Sequence, residues 1–155
     1  MKKFLITAAA LGLAAPALAQ EEDSISMDEV PEAAMTAAQE NAPEGITEFE
    51  SVQLDGETYE FAATKEDGTA VEVDVMADGT LDEIEEEVAM EAVPQPVAAT
   101  LDAEAAGLQP TMIEKSTRAD GAIVYEFEGQ LDGQEVDIEI NEDGSGFTNT
   151  ADMEG

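Results

Sequence analysis

The chain has 155 residues, with 38 Asp and Glu against 5 Lys and Arg, a formal net charge of −33, and no His, Cys or Trp. That inventory excludes a Ser-His-Asp triad, a cysteine nucleophile, and any zinc or haem centre built on His or thiolate. It excludes a disulfide framework and argues against nucleic acid as a partner, because phosphate contacts need clustered Lys and Arg.

In chain order, Lys2 and Lys3 precede the uncharged run Phe4 to Ala15, Pro16 breaks it, and Ala17-Leu18-Ala19 supplies small residues. This predicts a secretory signal peptide over residues 1–19, cleaved after Ala19. The run is too short for a membrane span, and no Cys follows to carry a lipid. The expected location is therefore periplasmic or secreted in a bacterium, without membrane insertion after cleavage. Removing the signal leaves Lys65, Lys115 and Arg118 as the only cations. Few large apolar residues with so high a net charge is the composition of a disordered chain. Only the patterning argues for a fold.

Residues 20–27 read as a loose acidic leader. From Asp28 the pattern changes. Val30-Pro31 opens a helix with proline in its first turn, where a missing N–H costs nothing. Val30, Ala34, Ala37 and Ala38 share a face, and Pro43 and Gly45 stop the helix near Asn41. Extended runs follow over 46–54, 57–64, 69–76 and 80–88, separated by Asp55-Gly56, Asp67-Gly68 and Asp78-Gly79. Asp-Gly between alternating segments is a strong hairpin signal. In the third run Val71, Val73 and Val75 alternate with Glu72 and Asp74, which predicts one buried and one wet face.

The landmarks then recur in order. Val30-Pro31 returns as Val93-Pro94, and Tyr59-Glu60-Phe61 as Tyr125-Glu126-Phe127. Asp67-Gly68 returns as Asp132-Gly133, Val71 to Val75 as Val136 to Ile140, and Asp78-Gly79 as Asp143-Gly144. This reads as an internal duplication. The second helix carries Pro94 and Pro96 in its first turn and Val97, Leu101 and Ala105 on one face, with Gly107 as its cap. The expected fold is α+β, two tandem repeats over 28–88 and 93–150. Each is one helix followed by a three- to four-stranded antiparallel sheet, and residues 151–155 are a frayed C-terminus. Units this small make marginal cores alone, so they must pack together or join their sheets.

The Val-Pro-initiated helix, the Tyr-Glu-Phe hairpin strand, and the alternating Val strand ending in Asp-Gly together resemble the PepSY family. The likeness is to its periplasmic PepSY-like group, related in architecture to the β-lactamase inhibitor protein. The resemblance implies an exported, non-enzymatic module that inhibits or escorts a peptidase or other exported protein. It carries over no catalytic residues, and the scarcity of Lys departs from the usual composition of the family.

Candidate chemistry is sparse. Asp67-Gly68-Thr69 and Asp78-Gly79-Thr80 reverse the order of the aspartic-protease triplet and read as turns. Lys115-Ser116 is the only adjacent Ser-Lys pair, and strand neighbours face opposite sides of a sheet. No catalytic residue, cofactor or dedicated metal site is expected. The one metal alternative is a Ca²⁺ loop of Asp74, Asp78, Asp82 and Glu85 on an EF-hand-like spacing. Met76 stands there where an oxygen is needed, and a strand precedes the loop where a helix is needed. Glu83 and Glu85-Glu86-Glu87 read either as an acidic docking strip or as charges guarding an edge strand. Two functional expectations follow. One is a binding module whose acidic sheet face meets an exported protein or peptide with a basic surface. The other is a salt-adapted acidic protein with low-affinity Ca²⁺ or cation binding and no dedicated protein partner.

Overall fold

A computed structural model of the protein describes residues 24–149. The expected signal peptide, the start of the acidic leader and the expected frayed end lie outside the described residues.

A 3-10 turn at Met27–Glu29 leads into helix α1, Glu32–Asn41. Pro31 sits at its N-cap. Four strands follow: β1 Ser51–Asp55, β2 Thr58–Thr64, β3 Ala70–Met76 and β4 Leu81–Glu87. A second 3-10 turn, Met90–Ala92, precedes helix α2, Gln95–Glu104, which is capped by Pro94. The chain closes with β5 Gln109–Arg118, β6 Ile123–Leu131, β7 Gln134–Asn141 and the short β8 Thr148–Asn149.

The strands form one antiparallel sheet of eight, in the order β1-β2-β3-β4-β5-β6-β7-β8. This corrects the expected fold class. The described chain is mostly β, with two helices on a single continuous sheet, not two tandem helix-plus-sheet repeats. The pairing that overturns the expectation is β4 with β5, from Glu83↔Arg118 to Glu87↔Glu114. Its physical reason is that a short sheet leaves an unsatisfied edge and buries little surface, and both costs vanish when two edges join. The leader is also less loose than expected in its described part. Ser24 bridges Gln53, and the Ile25 N–H donates to the Val52 carbonyl at 3.3 Å.

The helices cover one face of the sheet. Ala34, Ala37 and Ala38 of α1 are buried against Val52, Phe61, Val71, Val73 and Val75. Their small side chains let the helix sit close. Val97, Leu101 and the following Ala105 are buried with Ile113, Tyr125, Phe127, Val136, Ile138 and Ile140.

Hairpin tips fasten the helices to the sheet. Asp67, Asp78 and Asp143 each accept a hydrogen bond through Oδ1 from the backbone N–H two residues on, at 3.0, 2.9 and 2.9 Å. Bonds from Thr69, Thr80 and Ser145 hold these three carboxyls below the usual range. Gly79 and Gly144 follow in the left-handed region at φ +87° and +84°, pressed against the carbonyl oxygens of Ala33 and Pro96 in the first turns of the helices.

Candidate functional site: the carboxylate face of the sheet

Alternation along each strand sends the residues between the core positions to the face away from the helices. The pairing then places acids beside acids. Glu60 of β2 stands opposite Asp74 of β3, which stands opposite Glu83 of β4. In the next row Glu72 faces Glu85, and Glu85 faces Ser116 of β5. A third row runs Glu87, Glu114, Glu126 and Glu139 across β4 to β7.

The face is not wet, and this corrects the alternation reading. Glu60, Glu72, Asp74, Glu83, Glu85, Glu114 and Glu126 are all buried, with Asp74 at 0% and Glu85 at 1% exposure. Burying a carboxylate among carboxylates penalises its charged form. Burial, followed by the fields of Glu126, Asp74, Glu114 and Glu72, pushes the Glu85 carboxyl up to about 11. Burial, with Glu128, Glu87 and Asp137, raises Glu114 to about 7. Burial and then Glu139 raise Asp137 to about 6.

Arg118 offsets part of this load. Its Nε lies 3.7 Å from Oε2 of Glu83 and its Nη2 3.1 Å from Oε2 of Glu139. Ser116 Oγ donates to Oε2 of Glu83 at 2.5 Å. Lys65 is used elsewhere, 2.7 Å from Oε1 of Glu86.

The residues singled out from the sequence fall in different places. Asp78 is spent on its turn, Asp74 stands within β3, and Asp82 and Glu85 stand on β4. Among the described residues the carboxylates whose oxygens converge are Glu83, Glu85 and Glu126, all buried. Of the four loop residues, only Glu85 belongs to that group. The strip Glu83 to Glu87 guards no edge, since β4 is paired on both sides. Lys115 and Ser116 are not brought together. Ser116 lies beside Glu85 and Glu83, while Lys115 is paired with Glu86 and Tyr125.

Sequence reading missed Glu114, Ser116 and Glu126 as parts of one surface. The available signal was an acid at successive alternate positions of strands that also carry core residues, which places acids in the sheet interior once the strands are neighbours.

An antiparallel sheet with helices on one face and densely placed carboxylates on the other defines a small, mostly β module, with no recognisable catalytic constellation among the described residues. The family described as peptidase propeptide and YPEB domain, PepSY_2, matches residues 3–87, and the chain belongs to this family. The resemblance carried by Val30-Pro31, Tyr59-Glu60-Phe61, Val71 to Val75 and Asp78-Gly79 therefore stands.

Solved structures share the fold. A DUF2874-family protein from Bacteroides ovatus matches at TM-score 0.63 and 11% identity, over 79% of this chain and 89% of that one. A protein described as periplasmic from Bacteroides eggerthii matches at 0.65 and 13%, over 77% and 88%. A BLIP-like protein from Bacteroides fragilis matches at 0.60 and 16%, over 76% and 84%. At these identities the likeness is one of fold. No curated protein matches the chain. Among the described residues no helix is long and apolar enough to cross a membrane.

Proposed function

We propose that this chain is an exported, non-enzymatic binding module whose carboxylate face receives the basic surface of an exported protein or peptide. Inhibiting or escorting a peptidase is the form of that role which the peptidase-propeptide family supports. Likeness in fold to a BLIP-like protein and to a protein described as periplasmic points the same way.

The observation that carries the reading is the burial of seven acids on one face. Salt adaptation calls for acids in water, where hydration is kept. Acids withdrawn from water cost stability, and residues that cost stability are expected where they serve a site. A cationic partner would meet this face through charge-assisted contacts, and opposite charges would make association fast and salt-sensitive.

The test is capture of exported proteins on the immobilised chain in EDTA, at low and high NaCl. A basic protein should be retained at low salt, released at high salt, and lost on the double variant Glu72→Gln, Glu114→Gln. Glu57→Gln with Glu135→Gln, both at exposed positions, should retain it. Retention that ignores the face variants, or no retention at all, rejects the reading.

A further inference from the structure

We propose that Glu83, Glu85 and Glu126 form a dedicated divalent-cation site on the carboxylate face, fitted to Ca²⁺. The inference goes beyond the binding of a protein partner and does not depend on one.

One oxygen from each of the three carboxylates lies within 4.8 Å of the others. Two oxygens bound to one Ca²⁺ at about 2.4 Å are at most about 4.8 Å apart, so the set lies within what one Ca²⁺ can span. Mg²⁺ dehydrates reluctantly and keeps several waters, so a buried all-protein carboxylate set suits Ca²⁺ better. An all-carboxylate set without imidazole or thiolate suits hard cations over transition metals.

The second observation is independent of the clustering. Glu85 is 1% exposed, and neither of its oxygens has a hydrogen-bond partner. A buried acceptor without a donor is costly to the fold. A carboxyl group in that state, aimed at two others, is arranged for a ligand that takes its oxygen lone pairs and displaces its proton to solvent. A bound cation is such a ligand.

Local sequence explains how two strands that are not neighbours can supply one site. Glu83 and Glu85 are two apart on β4 and so share a face. Glu126 is on β6, one strand beyond β5. The residue on β5 opposite Glu85 is Ser116, whose short side chain leaves room for Glu126 to reach across. Ser116 Oγ also donates to Oε2 of Glu83, which orients that carboxylate.

The experiment is calorimetric titration of CaCl₂ into the EDTA-stripped exported protein, in about 0.5 M NaCl so that diffuse attraction to the acidic surface is screened. One saturable site per chain is expected. Glu85→Gln and, separately, Glu126→Gln should each weaken it at least tenfold, while the exposed pair Glu57→Gln, Glu135→Gln should leave it unchanged. MgCl₂ should compete at least tenfold more weakly. Melting curves in EDTA establish that each variant is folded, and either of the two site variants suffices. Binding that is not saturable under these conditions, or is unchanged in both site variants, shows adventitious surface binding only and overturns the site. Equal competition by Mg²⁺ overturns its fit to Ca²⁺. Loss of partner capture in EDTA would leave this titration untouched, so the two readings fail separately.

Discussion

On the helix side of the sheet Phe61, Val73, Phe127 and Ile138 are fully buried, and on its opposite side Asp74, Glu85 and Ser116 are buried as deeply. The first set is stabilised by leaving water. In the second, burial penalises the charged form of the carboxyl groups, which hold their place because the backbone pairing and the apolar face fix where each strand lies. The two faces thus divide the work. One makes the fold and the other is carried by it, so a change on each should move stability in opposite directions.

The largest effect is expected on the helix side. Phe127→Ala removes a ring with 0% exposure from the cluster shared with Val97, Leu101 and Ile138. It should cost about 3–5 kcal/mol in denaturant unfolding. A loss below about 1 kcal/mol would mean that the helix-covered face does not carry the fold and that the comparison is misdrawn.

The next effect has the opposite sign. Glu85, Glu114 and Asp137 hold their protons more tightly in the folded chain, at about 11, about 7 and about 6 against ordinary values of 4.5, 4.5 and 3.8. The stabilisation this gives is complete only below the ordinary values. It fades as the pH climbs through about 6 for Asp137 and about 7 for Glu114, and throughout the neutral range for Glu85. In EDTA the melting temperature should therefore rise from pH 8 to pH 5. Below about pH 4 it should fall again, because Asp67, Asp78 and Asp143 have lowered values and lose their turn bonds on protonation. Glu85→Gln replaces a group that is protonated in the folded state by a neutral one of the same shape. At pH 7 it should stabilise by on the order of 3–4 kcal/mol, at about 1.4 kcal/mol per pH unit between the ordinary value and the working pH. Destabilisation by this variant would show that the polar face supports the fold after all.

How much of this could be read from the sequence follows from how local each feature is. The Asp-Gly turns and the alternation of Val71, Val73 and Val75 are set within a few residues, so the strands were legible. The helix faces of Ala34, Ala37 and Ala38, and of Val97 and Leu101, were legible for the same reason. The joining of β4 to β5 was not, because an edge and an interior strand carry the same alternation, and only pairing with a distant segment tells them apart. That one pairing changes what Glu83 and Glu85 are. On an edge they guard against aggregation, and in the interior they are buried. Glu126 was visible only as the middle of a Tyr-Glu-Phe motif, and its approach to Glu83 and Glu85 exists only across β5. The EF-hand-like spacing of Asp74, Asp78, Asp82 and Glu85 counted along the chain, whereas the converging carboxylates are gathered across it.

The smallest effect tests how the helical layer is fastened to the sheet. Gly144 lies at φ +84°, and a Cβ there would stand 2.7 Å from the Pro96 carbonyl oxygen at the start of α2. Its own carbonyl accepts a hydrogen bond from Thr100 Oγ1 at 2.7 Å. The left-handed backbone alone makes Gly144→Ala cost about 1–2 kcal/mol, and the contact with a backbone carbonyl adds to it unless the first turn of α2 shifts. Gly79→Ala meets the Ala33 carbonyl oxygen at 3.0 Å and should cost no more than its counterpart. Because both hairpin tips lie on the helix side, neither variant should alter the gain in stability between pH 8 and pH 5. A change in that gain would mean that the docking of the helices and the titration of the carboxylates are coupled through the sheet, and the two faces could no longer be treated as separate contributions to one fold.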